Sequence, residues 1–234
     1  MQEQGKILGV QMETRKVIAS ILLTMFIFGC NSFDQSPPPL LPNQKGHRAS
    51  GIAFPATVGV FPRGEVKIYD AAGEDIGAGY DLRDLLNPVA ITVYVYPGPK
   101  LLSIGSPPEV IATARKHLTD NHFEDIKREI TKHHPHASVT SDAETQVIFR
   151  GQSLYGRVAV LSSEELFAGR IQPLVTCAEI YAYGKWIVKF RATYPAATEK
   201  SGGESTRTFV KAFIRANDIT PDEGRGLASG KPGT

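Results

Sequence analysis

Histidine is the side chain whose spacing in this sequence most directly suggests chemistry. Five of the six histidines fall within residues 117–136, namely His117, His122, His133, His134 and His136. Imidazole is a common ligand of zinc, copper and nickel, and His133, His134 and His136 could offer two or three nitrogens from one turn. The alternative is a set of solvated residues at a helix end, where positive charge is favourable. The sequence leaves open a weak zinc or copper site at these three residues and otherwise predicts no cofactor.

Tyrosine is the second residue type whose placement suggests a function. Along residues 89–96, aliphatic side chains alternate with Ala, Thr, Tyr94 and Tyr96. This period of two predicts a strand with one aliphatic face and one face that carries tyrosines. A tyrosine ring is apolar and its tip is polar, so this face could line a ligand groove or a partner surface, or it could pack beneath a helix. Tyr94 and Tyr96 are therefore the candidate ligand or partner face.

Motifs of known enzyme classes do not match this sequence. The run GQSLYG at residues 151–156 differs from a nucleophile elbow because its second glycine comes one position too late. The run GAG at residues 77–79 lacks the rest of a dinucleotide fingerprint. Cys177 lies in a strand-like run and is expected to be buried and inert. No catalytic residue is predicted, and a hydrolase with an unrecognised site is the remaining enzymatic alternative.

An apolar segment near the N-terminus indicates export. Residues 17–28 read VIASILLTMFIF without a charge, and Arg15 and Lys16 precede them. A basic flank, a short apolar core and a small residue at its end are typical of a signal peptide. As a helix, this core would reach about 20 Å, less than the roughly 30 Å of hydrocarbon that a membrane span must cross. We predict a signal peptide over residues 1–30, with translation starting at Met1 or Met12.

The end of this segment carries a cysteine. Ile27-Phe28-Gly29-Cys30 resembles the lipobox of bacterial lipoproteins, although Phe28 stands where that family prefers a small residue. In that family a peptidase cuts before the cysteine, whose sulfur carries a diacylglycerol, and two or more acyl chains give stable anchoring. The resemblance implies lipidation of Cys30. With Asn31 next, it also implies an outer-membrane lipoprotein of the bacterial cell envelope that faces the periplasm or the cell surface.

The rest of the chain divides into three parts. Residues 31–50 contain Pro37, Pro38, Pro39 and Pro42, which disfavour a helix and predict a proline-rich tether. Residues 51–219 alternate between strand and helix patterns and predict a single domain. The glycine-rich residues 220–234 predict a disordered tail.

The order of predicted elements determines the expected fold class. Strands are predicted at residues 56–61, 66–70 (around a turn at 62–64), 89–96, 145–150, 154–161, 174–183 and 185–194. Helices are predicted from Ser106 with a break near residues 120–121, as one short turn at 163–167, and at 204–216 after a loop at 201–203. This order predicts an α+β domain: an antiparallel sheet of about six to eight strands with two or three helices packed on one face. The architecture is similar to the Mog1/PsbP-like class of small α+β domains.

Amino-acid composition and net charge limit the classes of function that the sequence allows. The chain has 234 residues, 41% of them apolar and 21% charged, which suits a globular domain. Its net charge of +2 gives no concentrated basic face for nucleic acid. The sequence predicts a lipid-anchored envelope protein with a non-catalytic binding or scaffold domain, whose partners are the membrane, through Cys30, and an envelope protein. The alternative is a small-ligand or metal-binding lipoprotein that uses the His117–His136 cluster or the tyrosine-lined sheet face.

Replacing Cys30 with serine tests the predicted anchor. We expect the Cys30→Ser protein to leave the membrane fraction, because only a thiolate sulfur accepts the diacylglycerol. Fractionation of cells together with mass spectrometry of the N-terminal peptide measures this. The matched variant Cys177→Ser should stay with the membrane. A native protein with an unmodified thiol at Cys30 would contradict the prediction.

Overall fold

The computed structural model describes residues 45–84, 86–100 and 107–220. The predicted signal peptide, Cys30, most of the predicted tether, the predicted cap Ser106 and the tail beyond Thr220 lie outside the described residues. None of the described helices is both long enough and apolar enough to cross a membrane.

The described residues form two antiparallel sheets and two α-helices. The strands are β1 (Lys45–His47), β2 (Ile52–Phe54), β3 (Thr57–Val58), β4 (Phe61–Ile68), β5 (Ile76–Leu82), β6 (Val89–Pro97), β7 (Ser138–Phe149), β8 (Gln152–Phe167), β9 (Arg170–Tyr183) and β10 (Trp186–Pro195). The helices are α1 (Pro108–His133) and α2 (Glu199–Ala216), the latter preceded by a 3₁₀ turn at Ala196–Thr198. Strands β1 and β2 form a ribbon, and the others form one sheet in the order β3-β4-β5-β6-β10-β9-β8-β7. The predicted antiparallel α+β fold is confirmed.

The two helices lie on opposite faces of the large sheet. Successive side chains of a strand point to opposite faces, and β10 is buried on both. Its Val188 and Phe190 belong to the core beneath α2, whereas Ile187 belongs to the core beneath α1. The prediction that the helices pack on one face is therefore wrong. The structure places one on each, because the apolar run of β10 supplies a buried surface on both sides.

An aromatic cluster holds α2 against the sheet. Phe209 packs edge-on against Phe61 and Tyr80, with ring centroids 5.2 and 5.0 Å apart, and Phe213 packs against Phe190 at 5.5 Å. All five side chains are almost completely buried. Edge-to-face pairs add about 0.5–1.5 kcal/mol each beyond the burial of their apolar area, so this cluster is the centre of the larger core.

Helix α1 runs without a break from Pro108 to His133, so the predicted interruption near residues 120–121 is wrong. Its buried residues are Thr119, Phe123, Ile126 and Ile130, which follow a regular helical spacing of four, three and four. A polar residue therefore occupies one position of the buried stripe. The Thr119 hydroxyl donates to the Arg115 carbonyl oxygen at 2.9 Å, which satisfies it within the helix. This explains why the apolar pattern alone showed a slip in phase.

Several predicted boundaries are wrong because turns lie elsewhere. Strand β8 continues to Phe167, so residues 163–167 are not a helical turn. The reversal comes at Ala168 and Gly169, which have φ of 50° and 82°, as a type I′ hairpin turn requires. Similarly, the predicted turn at residues 62–64 lies inside β4, and Gly59, with φ of 57°, makes the turn before it.

The folded domain begins earlier than the sequence indicated. Residues 45–50 were assigned to the tether, but Lys45–His47 pairs with Ile52–Phe54 as an antiparallel ribbon. His47 is completely buried, and its ring lies 4.3 Å from that of Trp186. A buried ring and a paired backbone belong to the fold rather than to a spacer.

Helix α2 includes a stretch that was predicted to be a loop. It begins at Glu199, so residues 201–203 form part of the helix. A Cβ atom placed on Gly202 would lie 2.5 Å from Cγ of Tyr194, which is closer than real contacts allow. Glycine is needed here so that the helix can approach the Tyr194 ring, and not because the chain turns.

The adjacent glycines of α2 provide a test of this close approach. We expect Gly202→Ala to destabilise the protein by about 1–3 kcal/mol, because the added methyl overpacks against Tyr194. At Gly203 the nearest atom to a Cβ would be the Tyr194 hydroxyl at 3.5 Å, an ordinary contact. Gly203→Ala should therefore stabilise by up to about 1 kcal/mol through helix propensity. Urea unfolding measures both, and equal stabilities would contradict the expectation.

Candidate functional site

The face of the sheet that carries α1 is only partly covered by that helix. Helix α1 packs on β8 and β9 and extends to Ile187 of β10. On the same face, strand β6 presents Tyr94 and Tyr96, and β10 presents Lys189 beside Tyr94. Tyr69, which directly follows β4, completes the group, since its ring lies 5.9 Å from that of Tyr94. We call Tyr69, Tyr94, Tyr96 and Lys189 the tyrosine face.

A glycine in β5 explains why two rings meet at this place. Gly77 pairs with Tyr94 of β6 and with Lys67 of β4. A Cβ atom on Gly77 would lie 3.1 Å from both the Tyr69 and the Tyr94 rings. The two rings thus cover the backbone of a residue that has no side chain of its own, which is a recognised way of shielding a glycine in a sheet.

Lys189 is the charged residue at the centre of the tyrosine face. Its Nζ lies 4.5 Å from the centroid of the Tyr94 ring and 5.5 Å from that of Tyr96. No carboxylate of the described residues forms an ion pair or hydrogen bond with it. Burial lowers the pKa of Lys189, Arg191 acts in the same direction, and Glu129 and Asp75 oppose them. The ammonium thus contacts aromatic rings, and its N–H donors remain available to bind a partner molecule.

Tyr96 connects the tyrosine face to helix α1. Its hydroxyl lies 3.0 Å from Nε2 of His122, and the two rings meet edge-on with centroids 5.6 Å apart. Burial is the main cause that lowers the pKa of His122 and raises the pKa of Tyr96. One member of the histidine cluster is therefore a packing and hydrogen-bonding partner of a predicted site tyrosine.

Ion pairs fix the other side of α1 to strands β7 and β8. Lys116 pairs with Glu144 at 2.7 Å, and Tyr155 donates to Oδ1 of Asp120 at 2.7 Å. Arg157 lies between Asp120 and Asp142 and contacts both. Burial would raise the pKa of Asp142, but hydrogen bonds and charge from Lys127 and Arg157 lower it. These groups satisfy each other, so their arrangement indicates attachment of the helix.

The histidines at the end of α1 do not form a ligand set. His134 donates through Nδ1 to Oε1 of Glu165 at 2.7 Å, while His133 and His136 are exposed. Within residues 45–84, 86–100 and 107–220, no group of three or more His, Cys, Asp or Glu side chains could hold a metal ion. The predicted zinc or copper site at His133, His134 and His136 therefore gains no support from the structure.

The remaining predicted residues are placed as follows. Tyr94 and Tyr96 lie together, as the strand pattern predicted. Cys177 is half-buried on β9, and burial raises the pKa of its thiol to about 12, so little thiolate exists at neutral pH. Sequence reasoning missed Lys189. The sequence feature that could have identified it is a lysine and an arginine, two residues apart, on one face of an otherwise apolar strand.

Comparisons with known proteins bear only on the fold. No protein-family model and no curated protein sequence matches this chain. The crystal structure of the Ran-binding protein Mog1p from Saccharomyces cerevisiae is similar over 76% of this chain and 90% of that chain, with 12% sequence identity and a TM-score of 0.32. This likeness to the Mog1 fold is faint, and the Ran binding named for Mog1p is not transferred to this chain.

The contact between His122 and Tyr96 predicts a pH effect on stability. Burial lowers the pKa of folded His122 below its ordinary value of 6.5. As the pH falls, the unfolded chain therefore binds the proton at a higher pH than the folded chain does. The contribution of neutral His122 to the free energy of unfolding is complete above about pH 6.5 and decreases as the pH falls below that value. We expect His122→Gln to lose less stability than the wild type between about pH 7.5 and about pH 5.5, in urea unfolding at each pH.

The exposed histidine at position 133 provides the matched control for this experiment. His133→Gln should keep the pH dependence of the wild type, because that side chain is in solvent in the folded chain. Buried His47, whose pKa burial also lowers, should account for a further part of the loss. A pH dependence that His122→Gln leaves unchanged would contradict the assigned contact.

Proposed function

We propose that the protein is a lipid-anchored component of the bacterial cell envelope whose folded domain is a non-catalytic binding module, with the tyrosine face as its binding surface. The observation that carries the proposal is Lys189, held between Tyr94 and Tyr96 without a carboxylate partner among the described residues. Partial burial of an ammonium disfavours its charge unless an anion compensates it. An ammonium that lies between two tyrosine rings without an anionic partner is suited to bind an anionic group of another molecule.

The chemistry of the face indicates the kind of partner. Tyr69 is half-exposed, with 51% of its surface accessible, and it offers an apolar ring and a hydroxyl. Arg191 lies two residues beyond Lys189 on the same side of β10 and has no ion pair with a described residue. Asp75 is close enough to interact electrostatically with Lys189, although burial raises its pKa, and it forms no ion pair with the lysine. These features favour a protein segment that presents acidic side chains together with aromatic or apolar ones.

The anchor rests on the sequence. The resemblance of residues 27–30 to a lipobox supports lipidation of Cys30, and the prolines between residues 37 and 42 support a spacer between lipid and domain. A binding module held near a membrane meets envelope partners at a raised effective concentration. A small ligand that uses the same tyrosines is the alternative, and the experiment below separates the two.

Site-specific photo-crosslinking in living cells tests the binding surface. We place p-benzoylphenylalanine at Tyr69 of the full chain, and expect one discrete protein adduct. Lys189→Gln should reduce its yield by about tenfold, because a hydrogen bond to a charged group contributes about 1.5–3 kcal/mol. Lys189→Arg keeps the charge and should preserve most of the adduct.

Position 148 provides the matched control. Ile148 on edge strand β7 is 64% exposed, comparable with Tyr69, and lies outside the tyrosine face. The same crosslinker there should give no adduct of that mass. A common adduct from both positions, or a yield that Lys189→Gln does not change, would contradict the proposed surface. Absence of any protein adduct would overturn the protein partner and favour a small ligand.

A further inference from the structure

A groove lies on the opposite face of the sheet, between helix α2 and strands β8 to β10. It encloses about 550 Å³, and its floor includes Val160, Tyr194 and Ala196. Val160 pairs with the half-buried Cys177 across β8 and β9, which places the thiol beside the floor. Ligand sites of proteins generally have volumes of about 300–1,000 Å³ and predominantly apolar linings. This groove has the size and the apolar floor of a small-molecule site, and it shares no residue with the tyrosine face.

The wall formed by α2 is positively charged. Lys200, Gly203 and Arg207 line the groove, and their spacing of three and four places them on one side of the helix. Neither cation forms an ion pair with a described residue. Glu199 is the acidic residue of the lining, and it is exposed at the start of the helix. Between the two cations, Gly203 leaves the helix surface without a side chain, which opens the space above the floor.

The hydroxyl group of a largely buried tyrosine opens onto the groove. Tyr194 is only 4% exposed, yet its hydroxyl makes no hydrogen bond with any described residue. The hydroxyl is next to Gly203, since a Cβ atom there would lie 3.5 Å from it. Burial raises the pKa of Tyr194 to about 12, so at neutral pH the hydroxyl remains a hydrogen-bond donor. The hydroxyl is therefore available at the surface of the groove to donate to an acceptor group of a ligand.

We propose that this groove binds a small carboxylate with a short apolar body. The carboxylate accepts a hydrogen bond from the Tyr194 hydroxyl and pairs with Arg207 and Lys200, while the apolar body lies on Val160 and Ala196. Arg207 is the principal cation, because its guanidinium can donate two parallel bonds to one carboxylate. Glu179 is buried and accepts hydrogen bonds from Thr145 and Tyr181 rather than forming an ion pair with Arg207, and burial raises its pKa.

Titration by nuclear magnetic resonance tests the site. The protein is the full chain with Cys30→Ser, labelled with ¹⁵N, and the probes are octanoate, octanol and inorganic phosphate. We expect octanoate to shift the amide signals of Gly203 and Arg207 and to bind more tightly than either other probe. Octanol lacks the charge and phosphate lacks the apolar body. Equal binding of octanol, equal binding of phosphate, or no saturable binding of octanoate would each overturn the proposal.

Variants of the groove make the test specific. Arg207→Gln should weaken octanoate binding by about tenfold or more, and Tyr194→Phe by about threefold to tenfold, from the usual strengths of charged and neutral hydrogen bonds. Arg215→Gln changes the same residue type on α2 outside the groove lining and should bind like the parent.

Gly203→Ala separates binding from folding. Its methyl fits without a clash but lies at contact distance from the Tyr194 hydroxyl. The variant should therefore be at least as stable as the parent and still bind octanoate several-fold more weakly. Full octanoate affinity in Gly203→Ala and in Arg207→Gln would show that the ligand does not use this groove.

Discussion

Strand β10 is the element on which the rest of the structure depends. It lies between β6 and β9 in the middle of the large sheet and is hydrogen-bonded to both. Its even-numbered residues, including Phe190, pack beneath α2, and Ile187 packs beneath α1. Because side chains alternate along a strand, this one segment contributes to two separate cores. Each helix is positioned by the same strand, so the placement of one constrains the placement of the other.

The size of the sheet explains why surface remains open on both faces. Eight strands at about 4.8 Å spacing span roughly 35 Å, whereas a helix with its side chains is only about 10–12 Å wide. A single helix on each face therefore cannot cover it. Helix α1 covers β8 and β9 on one face, and α2 covers the β6 and β10 side of the other. The uncovered regions are where the tyrosine face and the groove beside α2 occur.

Both uncovered regions contain a cation that no described carboxylate neutralises, but the cations are held differently. Lys189 lies against two aromatic rings, which attract the ammonium through their quadrupoles while burial opposes its charge. Arg207 stands on a helix surface above an apolar floor, next to a tyrosine hydroxyl without an acceptor. By contrast, Asp120, Asp142 and Arg157 neutralise one another and attach α1 to the sheet. The structural charges form ion pairs with one another, whereas the cations of the two candidate binding sites form none with a described residue.

The sequence by itself determined the elements whose patterns are local. The alternation along β6, the hairpin of β9 and β10 about Gly184, and the antiparallel α+β class follow from periodicity and turn residues. The tyrosine pair at Tyr94 and Tyr96 was also predictable, because both lie on one side of one strand. Tertiary structure decided whatever depends on a neighbour distant in sequence. It placed Thr119 in a buried helical stripe, and it requires glycine at position 202 of α2 because the Tyr194 ring leaves no room for a side chain. It also brought Lys189 between two rings from β6. Periodicity reports which side of an element a residue occupies, but only packing determines what covers that side.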